Sequence, residues 1–168
     1  MPLVVYIFVT IQLIVVSYVD LKIRKISNIW SLLNIGLYFL LLFLFPNEYH
    51  FSLNTFIFPT IFIVVGFALF LMNIMGGGDS KYLGTLYLLI PVSSQQIVFV
   101  HLLYATILVG STLLLYNFLK NLDKTINHLK IGNIRGVQSV FGKKFSYAPV
   151  IFISWMWFGW QNYKKFFY

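Results

Sequence analysis

The chain has 168 residues, of which 60% are hydrophobic, 20% aromatic and only 10% charged; a soluble domain carries about 25% charged residues. This composition excludes a water-soluble core, and the length leaves room for a single domain, 1–168. The net charge is +8, but the basic residues sit in short stretches between apolar runs, a pattern of membrane orientation and not of nucleic-acid binding, and the absence of cysteine excludes disulfides, thiol catalysis and thiolate-held zinc.

Apolar blocks, not amphipathic periodicity, dominate the chain, which predicts an all-α polytopic bundle of transmembrane helices. The first run, Leu3–Val19, lacks a basic leading segment and a small-residue cleavage site and passes straight into Lys22–Lys25, so it is a retained helix and not a secretory signal. Ile29–Phe45 follows and stops at Pro46 and Asn47, and Phe56–Met75 stops at three glycines. Tyr82–Ile90 has only nine residues before Pro91, Ile97–Leu119 is a clear span, and Tyr147–Trp160 is a shorter aromatic run extendable to Tyr163. Spanning takes about 20 apolar residues, so Tyr82–Ile90 is the ambiguous piece.

Charge placement decides it. If Tyr82–Ile90 crosses, six helices put the N-terminus on the outer, periplasmic side. Lys22, Arg24, Lys25, Lys81, Lys120, Lys124, Lys130, Arg135, Lys143 and Lys144 then share the cytoplasmic side, and only Lys164 and Lys165 remain outside. Ten of the twelve positive charges obey the positive-inside rule, most of them in a basic cytoplasmic loop over 120–146. Without that crossing the asymmetry collapses. Tyr38, Tyr87, Trp155, Trp157 and Trp160 serve in part as interface anchors.

The chain has only four acidic residues, and two of them border apolar runs: Asp20 ends the first, and Asp79 follows Gly76, Gly77 and Gly78. A carboxylate deep in hydrocarbon costs ~2.5–3.5 kcal/mol or more, so such groups face polar cavities and carry function. The six-crossing topology brings both to the cytoplasmic face. Two neighbouring carboxyls cannot both ionise readily, so they share a proton: one acid holds and deprotonates a water, and the other protonates the substrate carbonyl and leaving amine. That is the apparatus of an aspartyl protease. The glycines let backbones approach closely and break the helix, which is tolerated at membrane depth where the break lines a cavity. A helix opening at Asp79 favours its anionic form, which makes Asp79 the base and Asp20 the acid.

Two constellations carry a family resemblance. Asp20-Leu21-Lys22-Ile23-Arg24-Lys25-Ile26-Ser27-Asn28 and Gly76-Gly77-Gly78-Asp79-Ser80-Lys81 resemble the two aspartate motifs of the prepilin peptidases, membrane aspartyl proteases of the Gly-x-Gly-Asp type. Asp20, Arg24, Ile26 and Asn28 match the first motif, although Ser27 stands where proline is usual; Gly76, Gly78, Asp79 and Lys81 match the second. Phe145-Ser146-Tyr147-Ala148-Pro149 is similar to the family's Pro-Tyr-Gly-Pro-like lead into the last helix. The resemblance implies catalysis by Asp20 and Asp79, with Gly76, Gly77, Gly78, Lys81, Arg24 and Asn28 shaping the substrate loop. It implies no cofactor or metal, a multi-pass place in the bacterial inner membrane, and removal of short basic leaders from prepilins at the cytoplasmic face. The short chain is most similar to the compact branch that processes Flp-type pilins. Family members that also methylate the new N-terminus usually carry cysteine pairs ahead of the first motif, so peptidase activity without methyl transfer is expected here.

Other assignments compete at single residues. Asp20 alone fits a solvated helix end, and Asp79 alone fits an N-cap. Lys81 either steadies the charge of Asp79 or marks the interface, and Lys22, Arg24 and Lys25 are foremost orientation markers. The glycines lack the Gly-x-x-x-x-Gly-Lys-Ser/Thr spacing of a phosphate cradle. His50, His101 and His128 share no metal-ligand spacing, and Asp123 is a surface charge on the basic loop. Gln12, Asn34 and Asn73 lie in apolar runs, where hydrogen bonding between helices is their expected role. A proton-coupled transporter accounts for Asp20 and Asp79 but not for the residues around them. A noncatalytic scaffold of a secretion assembly is the other alternative. Presenilin-like proteases carry a Tyr-Asp pair on the partner helix, and here Val19 precedes Asp20.

Overall fold

A computed structural model describes residues 1–71, 75–122 and 146–163. Within them the chain is all-helical: α1 (Leu3–Ile23), α2 (Asn28–Leu44), α3 (Leu53–Leu71), α4 (Gly77–Leu86) continued by a 3-10 turn (Tyr87–Leu89), α5 (Val92–Lys120) and α6 (Ala148–Asn162). Six α-helices are present among the described residues, in the places of the six apolar runs. Three of them, α1, α3 and α5, are long and apolar enough to cross a membrane. The basic loop expected over 120–146, with Asp123 and His128, lies almost wholly outside the described residues, as does Asn73.

The helix ends depart from the apolar runs, each for a local reason. α1 continues four residues past Val19, so Asp20 lies within its last turns. It stops at Arg24, whose left-handed backbone (φ 54°) turns its N–H back to the Asp20 carbonyl at 2.7 Å. α2 starts at Asn28 because Ser27 caps it, its Oγ accepting from the Ile29 N–H at 3.5 Å. α5 starts five residues before Ile97, directly after Pro91. Proline drives the residue before it out of the helical region, and Ile90 is extended (φ −103°, ψ 121°), which ends the 3-10 turn.

α4 is the centre of the bundle. Tyr82 through Ile90 are all buried, against α3 on one side and α2 on the other. Its ten α-helical and three 3-10 residues extend roughly 21 Å, short of the ~30 Å of hydrocarbon. A helix enclosed by protein need not match the bilayer, which explains the brevity of the run Tyr82–Ile90. Small residues allow the close approach: Gly66 of α3 lies directly on Ser80, and a Cβ on Gly84 would come within 2.8 Å of Ile63 and 3.1 Å of the Pro59 carbonyl.

Buried polar groups tie the helices together. Gln12 of α1 donates to Asn34 of α2 at 2.6 Å, and Asn34 donates to Thr85 of α4 at 3.3 Å, the interhelical role expected of both. Pro59 inside α3 lacks the N–H that would pair with the Thr55 carbonyl. Gln95 takes its place: its amide lies 3.4 Å from that carbonyl, and 3.0 and 3.1 Å from those of Tyr87 and Ile90 at the end of the broken helix. Tyr49, between α2 and α3, donates to the Leu89 carbonyl at 2.9 Å. Burial, reinforced by the neighbouring Glu48 charge, pushes the Tyr49 hydroxyl above its ordinary range and keeps it a donor. Outside this core, large side chains such as Leu32, Phe43, Val64, Ile107 and Leu115 are exposed, which suits an apolar surrounding.

Candidate active site

Asp20 is buried because of its register on α1. The buried positions are Val5, Val9, Gln12, Leu13, Val16, Ser17 and Asp20, a stripe at three- and four-residue spacing that faces the other helices. Asp20 extends this stripe into the last turns. Its Oδ2 accepts the N–H of Ala148, the first residue of α6, at 3.1 Å, and its main-chain carbonyl accepts the hydroxyl of Ser146 at 3.1 Å. The first N–H groups of a helix have no partner within it, so Asp20 caps α6 from across the bundle.

Asp79 stands in the first turn of α4, the third helical residue after Gly76. Its Oδ2 reaches back to accept the Gly76 N–H at 3.2 Å, half of the reciprocal arrangement that starts many helices. The positive end of the helix dipole favours its carboxylate there. Asp79 is 9% exposed and Asp20 2%. Both acidic residues of the two motifs therefore lie inside the fold and both accept at helix starts. Asp20 is therefore not a solvated helix end, and Asp79 does the work expected of an N-cap from the third helical position, with Gly76 as the N-cap residue itself.

The glycines before Asp79 have three different environments. A Cβ on Gly78 would meet the Ile26 carbonyl oxygen at 2.5 Å, so the α1–α2 connection lies directly on the start of α4 and the two motifs touch. A Cβ on Gly76 would approach the Asp79 carboxylate at 3.0 Å, and one on Gly77 would make ordinary contact with the Phe70 ring at 3.5 Å. Arg24, Asn28 and Lys81 have exposed side chains, as do Lys22 and Lys25. None of them lines the cavity of Asp79.

Asp79 opens onto a cavity of about 200 Å³ formed by Phe62, Val65, Gly66 and Leu69 of α3, Met75 and Leu83 beside Asp79, Thr106 of α5, and Tyr147. The walls are mainly apolar, and Asp79, Thr106 and Tyr147 supply the polar groups. Tyr147 and Thr106 are hydrogen-bonded at 2.9 Å. One three-residue segment thus serves both acids: Ser146 and Ala148 bond to Asp20, and Tyr147 lines the cavity of Asp79. In the sequence this segment is visible only as the lead into the last helix. Thr106 gave no signal, being a lone threonine in an apolar run. His101 is buried and bonded to Gln161 at 2.8 Å, and His50 is exposed in the α2–α3 connection. Among the described residues no three His, Cys, Asp or Glu side chains are grouped to hold a metal ion.

Comparison with known proteins agrees with the two-motif pattern. The family described as the type IV leader peptidase family matches the chain over residues 7–116, a stretch containing both aspartates and both motifs. No curated protein and no solved structure matches it.

Proposed function

We propose that this chain, which belongs to the type IV leader peptidase family, removes prepilin leaders with Asp20 and Asp79 as its catalytic pair. The family match spans well over half of the chain and makes it a hydrolase of prepilin leaders. Its aspartyl mechanism is the inference. The observation that carries it is the segment Ser146–Ala148, which holds Asp20 on one side and lines the cavity of Asp79 on the other. Two buried acids, one bonded to this segment and the other opening onto the cavity that Tyr147 lines, are suited to sharing a proton and a water once substrate is bound. We assign Asp79, in the first turn of α4, to take the proton from water, and Asp20 to donate to the leaving amine.

We place this chemistry at the cytoplasmic rim of the bacterial inner membrane, with the N-terminus periplasmic. The positive-inside count supports that orientation. A prepilin leader is short and basic and precedes an apolar helix, so its scissile bond falls at the same depth. The mainly apolar walls of the cavity suit the apolar side of that junction. Flp-type prepilins are the substrates we propose. Exposed Arg24, Lys81 and Asn28 border the site where the polar leader arrives.

Co-expression with a Flp-type prepilin tests the pair. Asp20→Asn and Asp79→Asn insert into the membrane at wild-type level but leave the prepilin at full length on a gel. Normal leader removal by either variant would refute the aspartyl mechanism.

A further inference from the structure

We propose that Tyr147 is a positioning residue that fixes Asp20 relative to Asp79 by tying the segment between them to α5. The role rests on the aspartyl pair proposed above, and it follows from the arrangement of hydrogens around Thr106. Thr106 has one hydroxyl hydrogen, and its oxygen lies 2.7 Å from the Leu102 carbonyl, one helical turn back, which takes that hydrogen. In the 2.9 Å contact between Tyr147 and Thr106, the phenol is therefore the donor. The bond is directional and fixes the ring on the wall of the cavity that Asp79 enters.

Its effect extends to Asp20 because the adjacent residues hold that acid. Ser146 donates to the Asp20 main chain and the Ala148 N–H donates to its carboxylate, both at 3.1 Å. Tyr147 lies between these two donors in the chain. If the ring leaves Thr106, the anchors of Asp20 move with it, while the α3 walls of the cavity stay in place. The first loss is the relative position of the two acids, and so the rate of the chemical step, not substrate binding.

The experiment uses the full chain in phospholipid vesicles with a reporter substrate of a short basic leader, a glycine and an apolar helix. Tyr147→Phe keeps the ring and deletes the donor. It lowers kcat about tenfold, as expected for one lost hydrogen bond expressed in the transition state, and leaves KM within about twofold. Thr106→Val deletes the acceptor with the same outcome, and the double variant is no slower than either single one, because both remove the same bond. Should Tyr147→Phe fail to accumulate in membranes, Thr106→Val carries the test. An unchanged kcat, or a rise in KM alone, overturns the role, as does multiplication of the two losses in the double variant. Asp20→Asn in the same vesicles separates the two claims. If it is inactive while Tyr147→Phe is fully active, only the Tyr147 role fails; if it is active, the aspartyl pair fails and the role with it.

Discussion

The three consecutive glycines before Asp79 provide an internal control, because their side-chain positions face different obstacles. At Gly78 an added methyl would lie 2.5 Å from the Ile26 carbonyl oxygen and 3.4 Å from its carbon. Non-bonded heavy atoms are comfortable near 3.5 Å, so Gly78→Ala must separate the α1–α2 connection from the start of α4 by roughly 1 Å. Such overpacking costs about 1–3 kcal/mol of stability. The functional loss is larger, since the displaced elements bear Asp20 and Asp79, and a 1 Å misplacement of reacting groups costs about 100-fold in rate. At Gly77 the same methyl meets the Phe70 ring at 3.5 Å. Gly77→Ala therefore keeps its activity and gains up to about 1 kcal/mol of helix preference. Gly76→Ala, with its methyl 3.0 Å from the Asp79 carboxylate, falls between them. Initial cleavage rates on the reporter substrate in vesicles, with thermal unfolding in detergent alongside, give the ranking. Wild-type rates in Gly78→Ala, or a greater loss in Gly77→Ala than in Gly78→Ala, would show that the contact between the two motifs does not set the geometry of the site.

Two further expectations concern Gln95 and Ser27. Gln95→Leu removes the amide shared by the carbonyls of Thr55, Tyr87 and Ile90; unsatisfied buried acceptors cost about 1–3 kcal/mol, so the unfolding midpoint in detergent falls, and an unchanged midpoint would mean that the carbonyls are satisfied without it. Ser27 has φ −73°, within the range proline imposes, so Ser27→Pro is accommodated and keeps leader removal; the gain of about 0.4–1 kcal/mol through the unfolded chain is offset by the lost cap on the Ile29 N–H, and the unfolding midpoint stays near wild type; loss of folding would show that the serine cap is indispensable.

Sequence reveals most where an element faces lipid and least where it faces protein. α1, α2, α3 and α5 are visible as apolar blocks because the surrounding hydrocarbon demands apolar side chains all round. Their polar ends are not. Leu21, Lys22 and Ile23 prolong α1 past the apolar run, and Val92–Gln96 opens α5 with a stretch that reads as a loop, because Gln95 finds buried carbonyls that belong to α3 and to the end of α4. The two acids are conspicuous by their rarity and by the motifs around them. Gly77, the unspecified position of the Gly-x-Gly-Asp pattern, is also the one whose missing side chain meets no obstacle. Tyr147 and Thr106 are invisible as a pair: 41 positions separate them, and only the packing of α5 and α6 brings them together.

The broken fourth helix connects fold and chemistry. A continuous apolar helix would satisfy its own backbone and leave Asp79 no reason to lie at this depth. Here α4 begins and ends within the structure, and each end needs polar partners. At its end Gln95 and Tyr49 supply donors to the stranded carbonyls. At its start the stranded groups are N–H donors, and what they require is an acceptor. Asp79 is that acceptor, taking the Gly76 N–H, and Asp20 meets the same requirement at the start of α6. The energetic cost of burying each carboxylate is therefore offset by an orphaned N–H that would otherwise be costly itself. Interrupted helices stabilise acids at the site where the proposed hydrolysis needs them, and the start of α4 also borders the recess onto which Asp79 opens.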